Sequence, residues 1–486
     1  MDDSQKSQIS TTAAPKLAPR IGLWLGLAWV LLVMILPAPN GMPSPAWHCI
    51  GLALLMATWW ATEAIPIPAT SLLPIILVPA LGIGNPKEVT AAYADPIIFL
   101  FLGGFLLGLA MQRWNLHRRI ALHTLLYVGQ SPKQQIAGFM VATGFISMWV
   151  SNTATAIMML PIGTSVIALL QDNDKAEVNR YATALLLSIA YAASIGGVAT
   201  LIGTPPNALL AGYLSNSQNI DLGFAQWMIV GLPVAIVMMA VTWWWLTRGG
   251  FNLKQSSSGS TMLHEELDKL GPMTSSEKRV GTAFLIAAAA WMLRPLLNDW
   301  GIGWLTDTSV AMIVGVGIFL FPAAPKTHDR LMDWEHAVKL PWGVLLLFGG
   351  GLALASAIKN SGLAEWIATQ LSIFGALPII LLIGVVVLVI IFLTEVTSNT
   401  ATAAAFLPLL GALALSLDIP PLLITVPAAI AASCAFMMPV ATPPNAIVFA
   451  TGEMKIQSMI QAGLFLNVVG TIIITLLVYG LVSLLW

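Results

Sequence analysis

Charge is what this sequence has least of. Lys, Arg, Asp and Glu together make up 9% of its 486 residues, against roughly a quarter in ordinary soluble domains, and that scarcity excludes a soluble globular fold. The two signs nearly cancel, leaving a net charge of −1, so no basic surface is available for nucleic acid. Cysteine is almost absent: Cys49 and Cys434 both lie in apolar sequence, which excludes a disulfide framework. The six histidines are scattered over loops and ends. No HExxH, paired Asp or Ser with a neighbouring His occurs within the apolar runs, so an intramembrane enzyme has no catalytic group to use.

Apolar residues, by contrast, fill 57% of the chain, in blocks near the ~20 residues that cross a bilayer. The first twenty residues are polar and lack a cleavage pattern, so they are expected to form a cytoplasmic tail before an uncleaved first span. Spans are expected near 21–37, 46–62, 64–82, 96–111, 181–212, 226–247, 280–297, 303–322, 341–358, 421–451 and 459–485, eleven in all. Two further apolar stretches, 134–170 and 375–416, are each interrupted at the centre by Ser-Asn-Thr. Each half is short for a crossing, so both are read as re-entrant hairpins.

Lys and Arg concentrate in cytoplasmic loops. With the N-terminus inside, the loops holding Arg113, Arg118, Arg119 and Lys133, then Arg248, Lys254, Lys269, Lys278 and Arg279, then Lys326, Arg330 and Lys339, all fall inside. Loops 38–45, 213–225 and 298–302 fall outside and carry neither residue type, and the C-terminus is expected outside. Arg294 is expected to snorkel outward.

The halves of the chain resemble each other. FLFLGGFLLGLA at 99–110 is similar to LLLFGGGLALAS at 345–356, SNTAT at 151 recurs at 398, and GTPPNALLAG at 203–212 is similar to ATPPNAIVFA at 441–450. The expected fold is therefore an all-α membrane protein of about eleven transmembrane helices plus two re-entrant hairpins in two inverted-topology repeats. Its parts are a tail (1–20), a first span and loop (21–45), a first repeat (46–247, hairpin 134–170), a cytoplasmic linker (248–279) and a second repeat (280–486, hairpin 375–416). An odd number of spans per unit inverts the second copy, which is the signature of alternating-access transporters.

Irregular backbone at membrane depth is tolerated only where it is packed in protein or lines a wet cavity. Ser-Asn-Thr followed by a helix-forming run places an N-cap and a positive dipole end there, favouring an anion by roughly 0.3 to 2 kcal/mol. Thr-Pro-Pro-Asn ends a helix ahead of its prolines, leaving carbonyls of Ile202 to Thr204 and of Val440 to Thr442 unpaired. Neutral hydroxyl, amide and carbonyl oxygens suit an alkali cation. Buried Ser and Thr that merely bond their own helices or join helix pairs are common in membranes, but two copies, each accompanied by TPPN, favour ligand sites. The glycines at 103, 104 and 349–351 are read as packing. Glu63 is placed at the inner rim. For Glu395, structural pairing and a role in ion coupling both stay open.

On both SNT motifs, both TPPN segments and the span count, the chain resembles the divalent anion/sodium symporter family over nearly its whole length. The resemblance implies a homodimer in the cell (inner) membrane, each protomer with a scaffold and an elevator-like transport domain. It implies Na+ as coupling ion at two sites or more: Ser147, Ser151, Asn152 and Gly203 at one, Thr394, Ser398, Asn399 and Ala441 at the other. A dicarboxylate would meet Asn152, Thr153, Asn399 and Thr400, with Thr204, Pro205, Thr442 and Pro443 lining the pocket. The expected activity is sodium-coupled import of C4-dicarboxylates such as succinate, malate or fumarate. A sodium-independent exchanger and a sulfate or other oxyanion symporter are the alternatives.

Overall fold

The computed structural model describes residues 17–129, 131–170, 173–253, 258–325, 327–371 and 378–485. All regular secondary structure among them is helical, apart from one isolated bridge between Pro322 and Arg330. Eight of the described helices are long and apolar enough to cross a bilayer: Leu17–Ile35, Pro86–Arg113, Lys175–Val198, Phe224–Thr247, Ser275–Asp299, Trp342–Asn360, Asn399–Ser416 and Ile456–Leu485.

Several expected spans are interrupted. The 64–82 stretch divides into Ile67–Thr70 and Leu73–Ala80, with Pro68 and Pro74 in the first turns of the two pieces, where a missing N–H costs nothing. The 181–212 and 421–451 stretches each divide ahead of TPPN, into Lys175–Val198 with Pro205–Gln218 and Leu422–Ala432 with Pro443–Phe449. Helix in the 303–322 stretch starts only at Asp307.

Both hairpins divide at Ser-Asn-Thr. The first comprises Pro132–Ser147 and Asn152–Ala168, and it opens on a Ser131/Gln134 capping box. In the second, Ile379–Thr394 is followed by Asn399–Ser416; its start at 375–377 lies outside the described residues. The two units are interlocked. Asn152–Ala168 packs on Pro443–Phe449, and Asn399–Ser416 packs on Pro205–Gln218, so the second arm of each hairpin rests on the broken helix of the other half of the chain.

Around this centre, Leu17–Ile35 pairs with Ser44–Thr62, and Pro96–Arg113 with Asp307–Leu320. The second pair is close because Gly103 has no side chain: a Cβ there would stand 2.4 Å from Ala311 O. The expected linker contains a helix, Ser258–Leu270. Arg118 bonds to Glu266 in that helix, and the buried Arg119 pairs with Glu277 at 2.7 Å. Arg294 does not snorkel free; it pairs with Asp307 at 3.0 Å and Asp221 at 3.4 Å. Glu63 ends Ser44–Thr62 in the left-handed conformation at φ 50°.

Candidate functional site

In the first hairpin the helix Pro132–Ser147 stops at Ser147, and the chain re-enters helix with Ser151 as N-cap, its Oγ accepting from Ala154 N at 3.3 Å. One end of the Asn152 amide then faces Ser147 Oγ at 2.6 Å, Ala193 O at 3.1 Å and Gly203 O at 3.3 Å. Ser147 Oγ also lies 2.6 Å from Ala193 O. A hydroxyl carries one proton, so Ser147 cannot donate to both neighbours at once. With the amide oxygen turned inward, four oxygens converge with a single proton among them, an arrangement a cation satisfies. With the amide turned over, its NH₂ faces the same three oxygens with two protons to donate and takes the cation's place. Gly197 closes this cluster tightly, because a Cβ there would stand 2.8 Å from the Asn152 amide and 2.9 Å from Gly203 O.

The second hairpin repeats the pattern. Thr394 Oγ1 lies 2.6 Å from Asn399 Oδ1 and donates to Ala432 O at 3.0 Å. Ser398 is the N-cap and makes no side-chain cap bond. Ala193 and Ala432 thus occupy matching places, each followed by Ser, in the recurring Ala-Ala-Ser of 192–194 and 431–433. That tripeptide is the sequence signal for these two carbonyls, which the SNT and TPPN motifs alone do not point to.

TPPN is more than a helix stop. Asn207 Nδ2 donates to Gly197 O at 3.2 Å and Thr200 O at 2.7 Å, and Asn445 Nδ2 donates to Ala435 O at 3.2 Å and Met438 O at 3.1 Å, ten and seven residues upstream in both cases. Thr204 O accepts from Asn207 N at 3.2 Å. Of the expected orphan carbonyls, Thr204 O and Thr442 O are thus retied, the latter by Ala446 N at 3.1 Å, while Gly203 O faces Asn152 and the motif's Asn side chains tie back the end of the preceding helix instead. Both side-chain amide oxygens are buried without a partner among the described residues.

The remaining expected residues lie beside these clusters. Thr204 Oγ1 is 3.3 Å from Ser433 Oγ, joining the two broken helices, and Thr442 Oγ1 accepts from Asn445 N at 3.3 Å. Pro205 and Pro443 open the helices that follow the breaks, and Ala441 sits in the second break. The hydroxyls of Thr153 and Thr400, one residue past each Asn, make no hydrogen bond to the described residues.

Glu395 resolves into a specific role. It is buried at 3% exposure. Its Oε1 accepts from Phe436 N at 2.7 Å, Met437 N at 2.9 Å and Asn467 Nδ2 at 2.7 Å, and its Oε2 accepts from Met438 N at 3.0 Å. Three consecutive amides of the second break are thus gathered on one carboxylate. Tyr191 holds the same segment from the first unit, donating to Phe436 O at 2.8 Å. At the matching place in the first unit stands Met148, whose carbonyl accepts from Thr200 Oγ1 at 2.5 Å.

Residues 19–486 match the model of the sodium:sulfate symporter transmembrane region. The chain belongs to this symporter family. Among similar proteins, the sodium-dependent dicarboxylate transporter SdcS of Staphylococcus saprophyticus is 45% identical over 472 residues, covering 95% of this chain and 91% of that one. SdcS of Staphylococcus aureus strain USA300 is 45% identical over 94% of this chain and 90% of its own. Of solved structures, the Alcanivorax borkumensis YdaH transporter superposes with a TM-score of 0.57 at 15% identity, over 96% of this chain and 99% of that one. Neisseria gonorrhoeae MtrF does so with a TM-score of 0.57 at 12% identity, over 95% and 94%. At these identities the structural likeness concerns the fold alone. This symporter-family chain is a membrane transport protein and not an enzyme.

Proposed function

We propose that this symporter-family protein imports C4-dicarboxylates together with sodium. The observation that carries the reading is the convergence of Ser147 Oγ, the Asn152 amide, Ala193 O and Gly203 O, repeated in part by Thr394, Asn399 and Ala432. Both clusters consist of neutral oxygens, which suits an alkali cation. Just beyond each lies a hairpin helix N-terminus and an unengaged threonine, Thr153 or Thr400, which suits a carboxylate. Neither hairpin break nor either TPPN contains Lys or Arg. Bound sodium therefore supplies the positive charge for the dianion, and turning the Asn152 amide oxygen inward as sodium binds orders the tip that receives the anion. This makes the coupling a direct consequence of charge balance.

The further architecture belongs to the same proposal: eleven spans, two inverted repeats, N-terminus inside and C-terminus outside, a homodimer, and elevator-like movement of the interlocked hairpins. The matching hydrogen bonds around Asn207 and Asn445 support the repeat, and the paired loops rich in Lys and Arg support the orientation. The test is uptake of radiolabelled succinate into proteoliposomes without internal dicarboxylate. Uptake driven by an inward sodium gradient is expected, and uptake unchanged when choline or potassium replaces sodium would sink symport. Excess sulfate in the same assay addresses the oxyanion reading: it should compete poorly, as the identity to sodium-dependent dicarboxylate transporters suggests.

A further inference from the structure

Away from the hairpin tips, a cleft of about 650 Å³ opens between the start of Lys175–Val198, the end of Phe224–Thr247 and the segment leading into Ile456–Ile473. Its lining includes Arg180, Thr183, Trp245, Arg248, Lys455 and Ser458. Three cations thus face one acid, Glu453. Arg180 is shared with Glu177 at 3.0 Å, whereas Arg248 and Lys455 have no carboxylate partner among the described residues. The Arg248 guanidinium lies 3.2 Å from the centroid of the Trp245 ring, and that ring stacks on Phe465 at 3.6 Å and 6°. The cation is therefore held in place before any anion arrives, so less entropy is lost on binding.

What borders the cleft distinguishes a lipid from a dissolved anion. Trp244, 55% exposed, lies 6.3 Å from Phe465, and the neighbouring Leu464 is 43% exposed. Val468 and Ile472 continue this apolar surface along the same helix. Cations with hydroxyl donors at the head, an aromatic collar and an apolar strip beneath are the sequence of environments that a phospholipid presents from phosphate to acyl chain. A small free dianion would use only the head. We propose that this cleft binds the phosphate headgroup of an anionic phospholipid, with its chains along the Trp244–Leu464–Val468 face. Under the orientation given above, that lipid belongs to the cytoplasmic leaflet; the site itself does not depend on the substrate reading.

Native mass spectrometry of the full-length protein, titrated with phosphatidylglycerol or phosphatidylcholine, tests this without any transport measurement. Wild type is expected to prefer phosphatidylglycerol. Two cations near a lipid phosphate are worth roughly thirtyfold, so an R248Q/K455Q double variant should lose about that factor for phosphatidylglycerol and keep its weak binding of phosphatidylcholine. A melting temperature and size-exclusion profile like those of wild type check that the double variant is folded, and R248K, which keeps the charge without the planar stack, should fall between wild type and the double variant. Equal retention of phosphatidylglycerol by wild type and double variant overturns the site. Displacement of the lipid by millimolar glycerol 3-phosphate or inorganic phosphate would show a site for a free anion and would overturn the lipid assignment.

Discussion

Replacing Glu395 with Gln would separate the second break's scaffolding from its ligands. The carboxylate takes four N–H bonds, three of them at Oε1. A Gln that keeps its oxygen at the Oε1 place turns an NH₂ toward Met438 N, so one bond becomes a donor facing a donor. The lost bond is worth roughly 1.5 to 3 kcal/mol, and the other three lose their charge assistance. The total is about 3 to 5 kcal/mol against the observed path of residues 436–438, similar to removing one partner of a buried ion pair. If about 2 kcal/mol of this falls on the cation-competent conformation, the competent fraction drops roughly thirtyfold and the half-saturating sodium concentration rises by the same factor. The measurement is the sodium dependence of succinate uptake in proteoliposomes, together with sodium titration of the substrate-free protein. Met148→Gln is the control, since Met148 engages the first break through its backbone carbonyl, and it should change sodium dependence less than threefold. A Glu395→Gln protein that is thermally destabilised yet keeps wild-type sodium dependence would refute the link between the clamp and the ion site.

Ser147→Ala or Thr394→Ala removes one hydroxyl from a proposed cation site, and a large rise in half-saturating sodium is expected with succinate affinity at saturating sodium nearly kept. Thr153→Val or Thr400→Val should weaken succinate about tenfold to a hundredfold, the worth of one hydrogen bond to a charged group, with substrate-free sodium binding almost unchanged; equal loss of sodium binding in both sets would collapse the division of roles, after allowing for reciprocal linkage. In a cysteine-free background, Lys133→Cys should react with an impermeant maleimide from the cytoplasmic side and Ser416→Cys from the outside, and labelling of both from one side would overturn the inverted repeat. Because the site lacks Lys and Arg, citrate should be transported better at pH 6, where more of it is dianionic, than at pH 8; a higher rate at pH 8 would contradict charge balance by sodium alone.

The helix breaks at Ser-Asn-Thr were legible because a polar triplet inside apolar sequence has few physical explanations, and because the same triplet recurred with the same companions. Ser147 and Thr394 came with the family pattern, and each lies against the Asn of its own hairpin. The carbonyls of Ala193 and Ala432 were harder to see, since a backbone carbonyl is the same in every residue and only the path of the chain makes it a ligand. Glu395 was recognisable as a costly residue, but its partners are backbone amides 41 to 43 residues away, which leave no mark on composition. Helix Ser258–Leu270 escaped notice for a related reason: its start reads as Ser/Gly linker, and its contact to Arg118 spans 148 residues. The broken helices were half foreseen. Proline announced each stop, but not that Asn207 and Asn445 would tie the ends back.

The interlocking of the two units sets an order on the protein's own birth. Arm Asn152–Ala168 rests on Pro443–Phe449, Tyr191 reaches Phe436, and Thr204 meets Ser433. While the ribosome is still making the middle of the chain, the first hairpin has Lys175–Val198 to pack on but lacks the surface that Pro443–Phe449 will supply. Its second arm, without that counterpart, must wait in lipid or against the insertion machinery until residue 449 has emerged. This makes the late portion of translation the vulnerable interval for quality control. A chain truncated in the 248–279 segment should be degraded rather than accumulate as a stable half, and the two halves made as separate polypeptides should survive only when produced together.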